Sequence, residues 1–495
     1  MKIQSCILAL ALALPIMGAV AQDKPADPEQ ARAAAEANMV KRAEALSESQ
    51  IKQSHDLQGL TRLAQIYNAQ HDTQRFTWVL RRVVELVPNS GDLKMQLALA
   101  YAKADDKTNA YDTLIHMQMQ GFGYDISKDP RFDPIHGTKV WDYLVANLQV
   151  NAKPFGEGTV AFSLAKGDYL FDALAWDATH KQLLAGSARD GKVFRVDEHG
   201  KLSDFITADS DNDLWAVTAL AVDATHGKLY VASASTPVFH GFNADNANKS
   251  GISAFDLATG KLLNTYPLAR VPGADIIVSL VVSQDGQVYA SDGPRRKVYK
   301  LDDGALKAIV TNPKLTNISA LTLSDDGRTL YLADYALGIF GYDLTKAEAF
   351  EPRYDVAKLV LGGIVGMYWY DGTLAVVQNG MVPQRAMRLQ LSKDGRTISG
   401  AMPLDVAQPS FADLGSGTVA GDKLYFVANR QDALYDNHGV LTDSGNLQST
   451  QIYRSNLRFA WGQSGVGSGA SPLPVTTGKP MPPKGPLPVQ KSTDH

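Results

Sequence analysis

A strand–turn–strand unit returns six times between residues 170 and 430, and no other feature of this chain constrains its fold as tightly. Each copy leads through a turn rich in Asp and Gly into a strand that usually carries Leu-Tyr. The first copies run Ala175-Trp176-Asp177 to Leu183-Leu184-Ala185 and Ala221-Val222-Asp223 to Leu229-Tyr230-Val231. The middle copies run Val282 to Ala290, through Ser283-Gln284-Asp285-Gly286, and Leu323 to Leu332, through Ser324-Asp325-Asp326-Gly327. The last run Trp369-Tyr370-Asp371-Gly372 to Leu374-Ala375-Val376 and Val419-Ala420-Gly421-Asp422 to Leu424-Tyr425-Phe426. An Asp-Gly pair supplies the positive φ that a tight hairpin requires. The steps between Leu184, Tyr230, Tyr289, Tyr331, Ala375 and Tyr425 are 46, 59, 42, 44 and 50 residues.

A second hairpin follows each copy, with strands such as Lys192–Asp197, Gly251–Asp256, Lys297–Asp302 and Gly338–Asp343. Six four-stranded units at this spacing predict a β-propeller. The strand Thr159-Val160-Ala161-Phe162, ahead of the first unit, is placed to close the ring by joining the last blade.

The segment before the propeller has a helical pattern. Leu63, Ala64 and Tyr67 recur as Leu97, Ala98 and Tyr101, and Leu80 recurs as Leu114, each 34 positions on. This period resembles a tetratricopeptide helix pair, with a helix from about Lys139 as a cap. The fold class expected is therefore mainly β: a six-bladed propeller preceded by a small α-helical domain.

The two ends read differently. Met1-Lys2, an apolar run from Ile7 to Met17 and a small-residue stretch before Gln22 describe a secretory signal peptide over 1–21. Its apolar run is too short to span a bilayer. Residues 22–153 are then the helical domain, 154–461 the propeller, and 462–495 a Pro/Gly-rich tail without apolar periodicity, expected to be disordered. The expected location is periplasmic or secreted.

Composition excludes several functions. The lone cysteine, Cys6, falls in the leader, so a disulfide framework, a cysteine zinc site and a CxxC redox pair are not expected. A formal net charge of -4 argues against nucleic acid as a partner, and no segment is long and apolar enough for a membrane span. The ten histidines show no HExxH spacing, and there is no GxSxG elbow or Walker loop. His180 and His226 fall in equivalent Asp-Ala-Thr-His turns, which reads as turn chemistry. Asp209, Asp211 and Asp213 alternate as in a calcium loop, but Leu214 and Leu220 stand where an EF-hand needs Gly and Glu. A solvated loop is the better reading.

The stretch Ala320-Leu321-Thr322-Leu323-Ser324-Asp325-Asp326-Gly327-Arg328-Thr329-Leu330-Tyr331-Leu332-Ala333-Asp334 resembles the SMP-30/gluconolactonase/luciferin-regenerating family over about residues 160–460. Exported bacterial propellers are similar to the chain at Ala175-Trp176-Asp177, at Val377-Gln378-Asn379-Gly380 and at Tyr425-Phe426-Val427-Ala428-Asn429. The resemblance implies six blades and, for the lactonases, one axial divalent cation (Ca, Zn or Mn) held by oxygen ligands. The matching positions here are Asp172, where that family has Glu; Ser319 or Ser279, where it has Asn; and Val365, where it has Asp. One carboxylate, a serine and a valine are a sparse set for a hard cation.

The candidate ligand-binding residues are therefore Asp172, Trp215, Ser279, Ser319, Gln378, Asn379, Arg385 and Asn429, with Asp172 also the candidate metal ligand. The amides leave inner-hairpin strands, and the insertion from Pro237 to Ser250 explains the 59-residue step. The function expected is binding of a small molecule or protein partner in the cell envelope. The alternatives are a metal-dependent lactone or ester hydrolase and an assembly scaffold acting through the helical repeats.

Overall fold

The computed structural model describes residues 40–458, apart from 210, 211, 213, 271, 272 and 274. The leader at 1–21, the tail at 462–495, Asp211 and Asp213 lie outside the described residues.

The helical domain comprises α1 (Glu48–Gln53), α2 (Leu57–Ala69), α3 (Thr73–Leu86), α4 (Gly91–Lys103), α5 (Lys107–Met119) and α6 (Lys139–Asn151). Each begins where a short polar side chain satisfies a free N–H: Ser47, Asp56, Asp72, Ser90, Asp106 and Thr138 are the N-caps. The pair α2–α3 and the pair α4–α5 start at Leu57 and Thr73, then at Gly91 and Lys107, an offset of 34 in both cases. Of the repeating positions, Tyr67, Leu80, Leu97, Ala98, Tyr101 and Leu114 are buried, while Leu63 and Ala64 are half-buried. The small Ala98 lets neighbouring helices approach, and α6 buries Trp141, Leu144 and Leu148 against the second pair.

Six antiparallel sheets follow. Blade 1 is Phe171–Asp177, Gln182–Ser187, Lys192–Val196 and Leu202–Ile206; blade 2 is Ala216–Asp223, Lys228–Ala234, Ser250–Asp256 and Leu262–Pro267. Blade 3 is Ile277–Val282, Val288–Asp292, Lys297–Asp302 and Ala305–Thr311; blade 4 is Ile318–Leu323, Thr329–Asp334, Gly338–Asp343 and Glu348–Phe350. Blade 5 is Ile364–Tyr370, Thr373–Gln378, Arg385–Leu391 and Ile398–Val406, with Phe155–Gly156 added at its outer edge. Blade 6 is Gly417–Ala420, Lys423–Val427, Gln451–Asn456 and, as its outermost strand, Thr159–Ser163. The ring thus closes through the strand the sequence pointed to.

Burial explains the strand patterns. Second strands such as Thr373–Gln378 are buried throughout, because both faces pack on neighbouring blades, while the outer Leu262–Pro267 is mostly exposed. Apolar clusters bridge blades: Ala175 and Leu184 of blade 1 pack with Leu220, Leu229 and Val231 of blade 2. In the inner turns, Ser324 Oγ donates to Asp326 Oδ1 at 2.6 Å, and Gly327 takes φ +67°. The Asp-Ala-Thr-His turns behave as expected: His180 Nδ1 lies 2.6 Å from Asp177 Oδ2, and His226 Nδ1 lies 2.8 Å from Asp223 Oδ2.

The helical domain sits on the face where the inner strands begin, over blades 4 and 5. Asn89 Nδ2 donates to Leu337 O at 2.6 Å, and Asn89 Oδ1 accepts from Leu361 N at 3.0 Å. Gly123 N donates to Val382 O at 2.7 Å, and Val360 and Met381 enter the helical core. Gly362 permits this approach, since a Cβ there would stand 2.6 Å from Asn89 Cβ.

Candidate functional site

The six inner strands surround an axial cavity of about 730 Å³. Every inner strand of blades 1 to 5 is broken near its start by a one-residue bulge, which falls on Asp172, Thr218, Val278, Ser319 and Val365. A bulged residue leaves the ladder and turns its side chain out of the pleat. In blade 6 Ser416 stands at the same place, with Gly415 N donating to Val427 O at 2.9 Å and Val427 N donating to Ser416 O at 3.1 Å. These six residues form a ring in which hydroxyls occupy alternate blades.

The hydroxyls are committed to the next blade round. Thr218 Oγ1 donates to Ile277 O at 2.6 Å, and Ser319 Oγ donates to Ile364 O at 2.6 Å. Ser416 Oγ donates to Asp172 O. Ser279, one residue past the bulge of blade 3, accepts from Leu321 N at 3.0 Å. Ser279 and Ser319 thus both line the cavity and both stitch blades together.

Asp172 sits in the ring but is already partnered. Its Oδ1 accepts from Ser416 N at 2.7 Å, and its Oδ2 accepts from Arg430 Nη1 at 3.1 Å. Arg430 also reaches Asp413 Oδ2 at 3.0 Å and lies 3.7 Å from Asp432 Oδ2. Depth in the ring pushes the Asp172 carboxyl up to about 6, against the pull of Arg430, although 41% of its side-chain surface stays accessible. For Arg430 burial works the other way, but the three carboxylates outweigh it and raise its pKa. Tyr368 closes the same corner by accepting from Gly417 N, and burial raises its hydroxyl pKa.

A hard divalent cation needs several oxygen ligands free to turn inward. The ring offers one carboxylate, already bound to a guanidinium, and hydroxyls spent on carbonyls. Val365 has no oxygen to give. Among the described residues, no three His, Cys, Asp or Glu side chains come together so as to hold a metal ion. The cation set implied by the resemblance is therefore not met by these residues.

The other candidates lie apart. Gln378 and Arg385 are together but are 0% and 2% exposed, beneath the helical domain. Arg385 Nε donates to Gln378 Oε1 at 2.8 Å, and its Nη1 donates to Gln120 O at 3.3 Å. Burial pulls the Arg385 guanidinium down to about 9, and burial pulls its neighbour Lys94 down to about 8. Asn379 is held by Tyr335 and Asp413, and Asn429 satisfies loop backbone at Ser449 and Gln451. Trp215 lies beside the blade 2 insertion, with Lys249 Nζ 5.8 Å from its ring centre. Of the loop aspartates, Asp209 makes reciprocal bonds with Asn212, as a turn does.

One cluster escapes sequence reasoning altogether. Arg189 of blade 1 donates to Asp168 at 2.7 Å and to Gly439 O at 2.9 Å, and also to Val238 O. Its guanidinium carbon lies 4.7 Å from the Tyr435 ring centre. His240 Nε2 is 2.8 Å from Arg189 Nη2 and 3.0 Å from Asp168 Oδ2. Arg189, Tyr435 and His240 outweigh burial and hold the Asp168 carboxyl below its usual range. The cluster straps the blade 2 and blade 6 insertions together above blade 1.

The cavity's other end reaches the inner turns, with Trp176, Trp369, Asp285 and Asp326 in its wall. Lys300 and Gln287 also reach it.

No family model matches the chain, and no curated protein sequence matches it. Among solved structures, a PQQ-bound aldose sugar dehydrogenase from Streptomyces coelicolor is similar at 14% identity over 62% of this chain and 98% of that one, with a TM-score of 0.40. A gluconolactonase from Xanthomonas campestris is similar at 15% identity over 60% of this chain and 88% of that one, with a TM-score of 0.38. A streptogramin B lyase is similar at 15% identity over 61% of this chain and 97% of that one, with a TM-score of 0.41. No conclusion about activity rests on these likenesses.

Proposed function

We propose that this is an exported binding protein whose axial cavity takes a small polar molecule. The observation that supports this reading is the cavity of about 730 Å³, a volume in the range of small-molecule sites. It is bounded by the free edges of the six inner strands, whose backbone and hydroxyl groups give the wall its polar character. Aromatic side chains at Trp176, Tyr289, Tyr368 and Trp369 add apolar surface to that wall. The ring at its far end has its hydroxyls and its carboxylate engaged, which suits a receptor better than a hydrolytic centre. Under this reading residues 1–21 direct export to the periplasm or beyond. The two helix pairs are tetratricopeptide-like and act as a spacer docked on the propeller.

The test is a thermal-shift and calorimetric screen of the purified protein against sugars, polyols, amino acids and lactones. Saturable stabilisation by one class is expected, and Val278→Trp, which fills the ring, should abolish it while the fold is kept. Turnover of a lactone that disappears in Asp172→Asn would replace this reading with the hydrolase. N-terminal sequencing of the native protein tests export, with Gln22 expected as the first residue.

A further inference from the structure

We infer that the Arg430 guanidinium takes the place of a divalent cation beside Asp172: it neutralises that carboxylate and ties blade 6 to blade 1. Three observations carry this. First, one guanidinium meets carboxylates from three separate segments: Asp172 from blade 1, Asp413 from the loop ahead of blade 6 and Asp432 from the blade 6 insertion. A cation gathering acidic oxygens from distant parts of a chain is what a structural metal does, and a planar five-donor group does it by hydrogen bonding. Second, the contact holds the inner strand of blade 1 to blade 6 across 258 positions of sequence. Ser416 and Thr418 bond across the same seam, Thr418 Oγ1 accepting from Trp176 N at 3.1 Å. Third, the position leaves no room for an added ion on Asp172. Both carboxylate oxygens are engaged, and a Cβ on Gly415 would lie 2.7 Å from Arg430 Cδ, so the arginine stem fills the adjoining space.

The proposal commits the wild-type protein to metal independence at this site and gives Arg430 a positioning role. Removing the arginine leaves three like charges without their shared counter-charge, with the Asp172, Asp413 and Asp432 side chains 41%, 38% and 57% accessible, so that a cation from solvent can screen their repulsion.

The experiment compares the wild type, Arg430→Ala, Asp172→Asn and the Arg430→Ala/Asp172→Asn pair in EDTA and in millimolar Ca²⁺ or Mn²⁺, reading the melting midpoint and bound metal by elemental analysis. The wild type is expected to show no bound metal that depends on Asp172 and no cation-dependent shift. Arg430→Ala is expected to melt lower in EDTA and to recover by at least about 2 °C in Ca²⁺, a response that the double variant loses. A wild-type protein holding one equivalent of metal that Asp172→Asn releases would overturn the inference. So would a folded Arg430→Ala that ignores both cations. If Arg430→Ala does not fold, the wild-type metal measurement still decides.

Discussion

Ser319 Oγ donates to the Ile364 carbonyl of the neighbouring blade at 2.6 Å, and Thr218 makes the same bond to Ile277 two blades earlier. A residue that the sequence offers as a ligand is thereby a rivet. Ser319→Ala leaves the Ile364 carbonyl without this donor inside the barrel wall, and an unsatisfied buried acceptor costs roughly 1–3 kcal/mol. Urea unfolding should show a loss of about 1–2 kcal/mol at unchanged m-value. A loss within experimental error would mean that water replaces the hydroxyl.

The alternation of hydroxyls round the ring shows which parts of this molecule a sequence discloses. Blade count, turn chemistry and ring closure were legible because each rests on local patterns: Asp-Gly turns, Leu-Tyr strands and apolar runs. The 34-residue helix offset was legible for the same reason. Arg430 was not, although it stands next to Asn429. Its partners lie 258, 17 and 2 positions away, at Asp172, Asp413 and Asp432, and only closure of the ring brings the first of them near. Arg385 and Gln378 read as surface amide chemistry because nothing local announces that a helical domain covers them. Burial by a separate domain changes a residue's role without changing its neighbours in sequence.

Asp292 should make stability fall with rising pH. Its counterpart in blade 4, Asp334, accepts from Thr316 N, Thr316 Oγ1, Asn317 N, Ala336 N and Leu337 N. In blade 3 Asp275 stands where Thr316 stands in blade 4, so a second carboxylate replaces a hydroxyl donor. Asp292 Oδ2 is left buried without a well-formed hydrogen bond, and burial, aided by Asp275, pushes its carboxyl up to about 6. A folded-state pKa above the unfolded value means that the native state holds the proton more tightly. The stabilisation is then complete below about pH 4 and is lost as pH rises through about 6. Asp292→Asn removes that titration. The variant is expected to gain on the order of 1 kcal/mol at pH 8, with a flatter melting profile between pH 4 and 7. An unchanged profile would place the proton elsewhere.

Docking of the helical domain depends on Asn89. Its amide both donates to Leu337 O and accepts from Leu361 N, across an interface that also buries Val360 and Met381. Asn89→Ala leaves a carbonyl and an N–H unpaired, a cost of roughly 2–3 kcal/mol to docking. Limited proteolysis should then cut faster between α6 and the outermost strand of blade 6, near residues 152–158, while the propeller fragment stays resistant. Equal cleavage rates would show that the apolar contacts alone hold the domain.

Arg189 is the residue on which the two insertions depend together. Its donors end on Asp168, on Val238 O of the blade 2 insertion and on Gly439 O of the blade 6 insertion, and its flat face lies over Tyr435. It does so where the two loops meet, Gly439 lying against the backbone of Pro237 and Val238. A lysine in its place has one charged nitrogen and no plane, so it can keep the Asp168 pair but not both carbonyls and the ring contact. Arg189→Lys is therefore expected to raise amide exchange across residues 236–249 and 432–446 by about tenfold or more, equivalent to roughly 1.4 kcal/mol of local stability. Exchange in the inner strands of blades 1 and 2 should not change, because their ladders do not involve the strap. A uniform rise over the whole propeller would instead identify Arg189 as part of the global core, and no change in the insertions would assign their order to contacts within each loop.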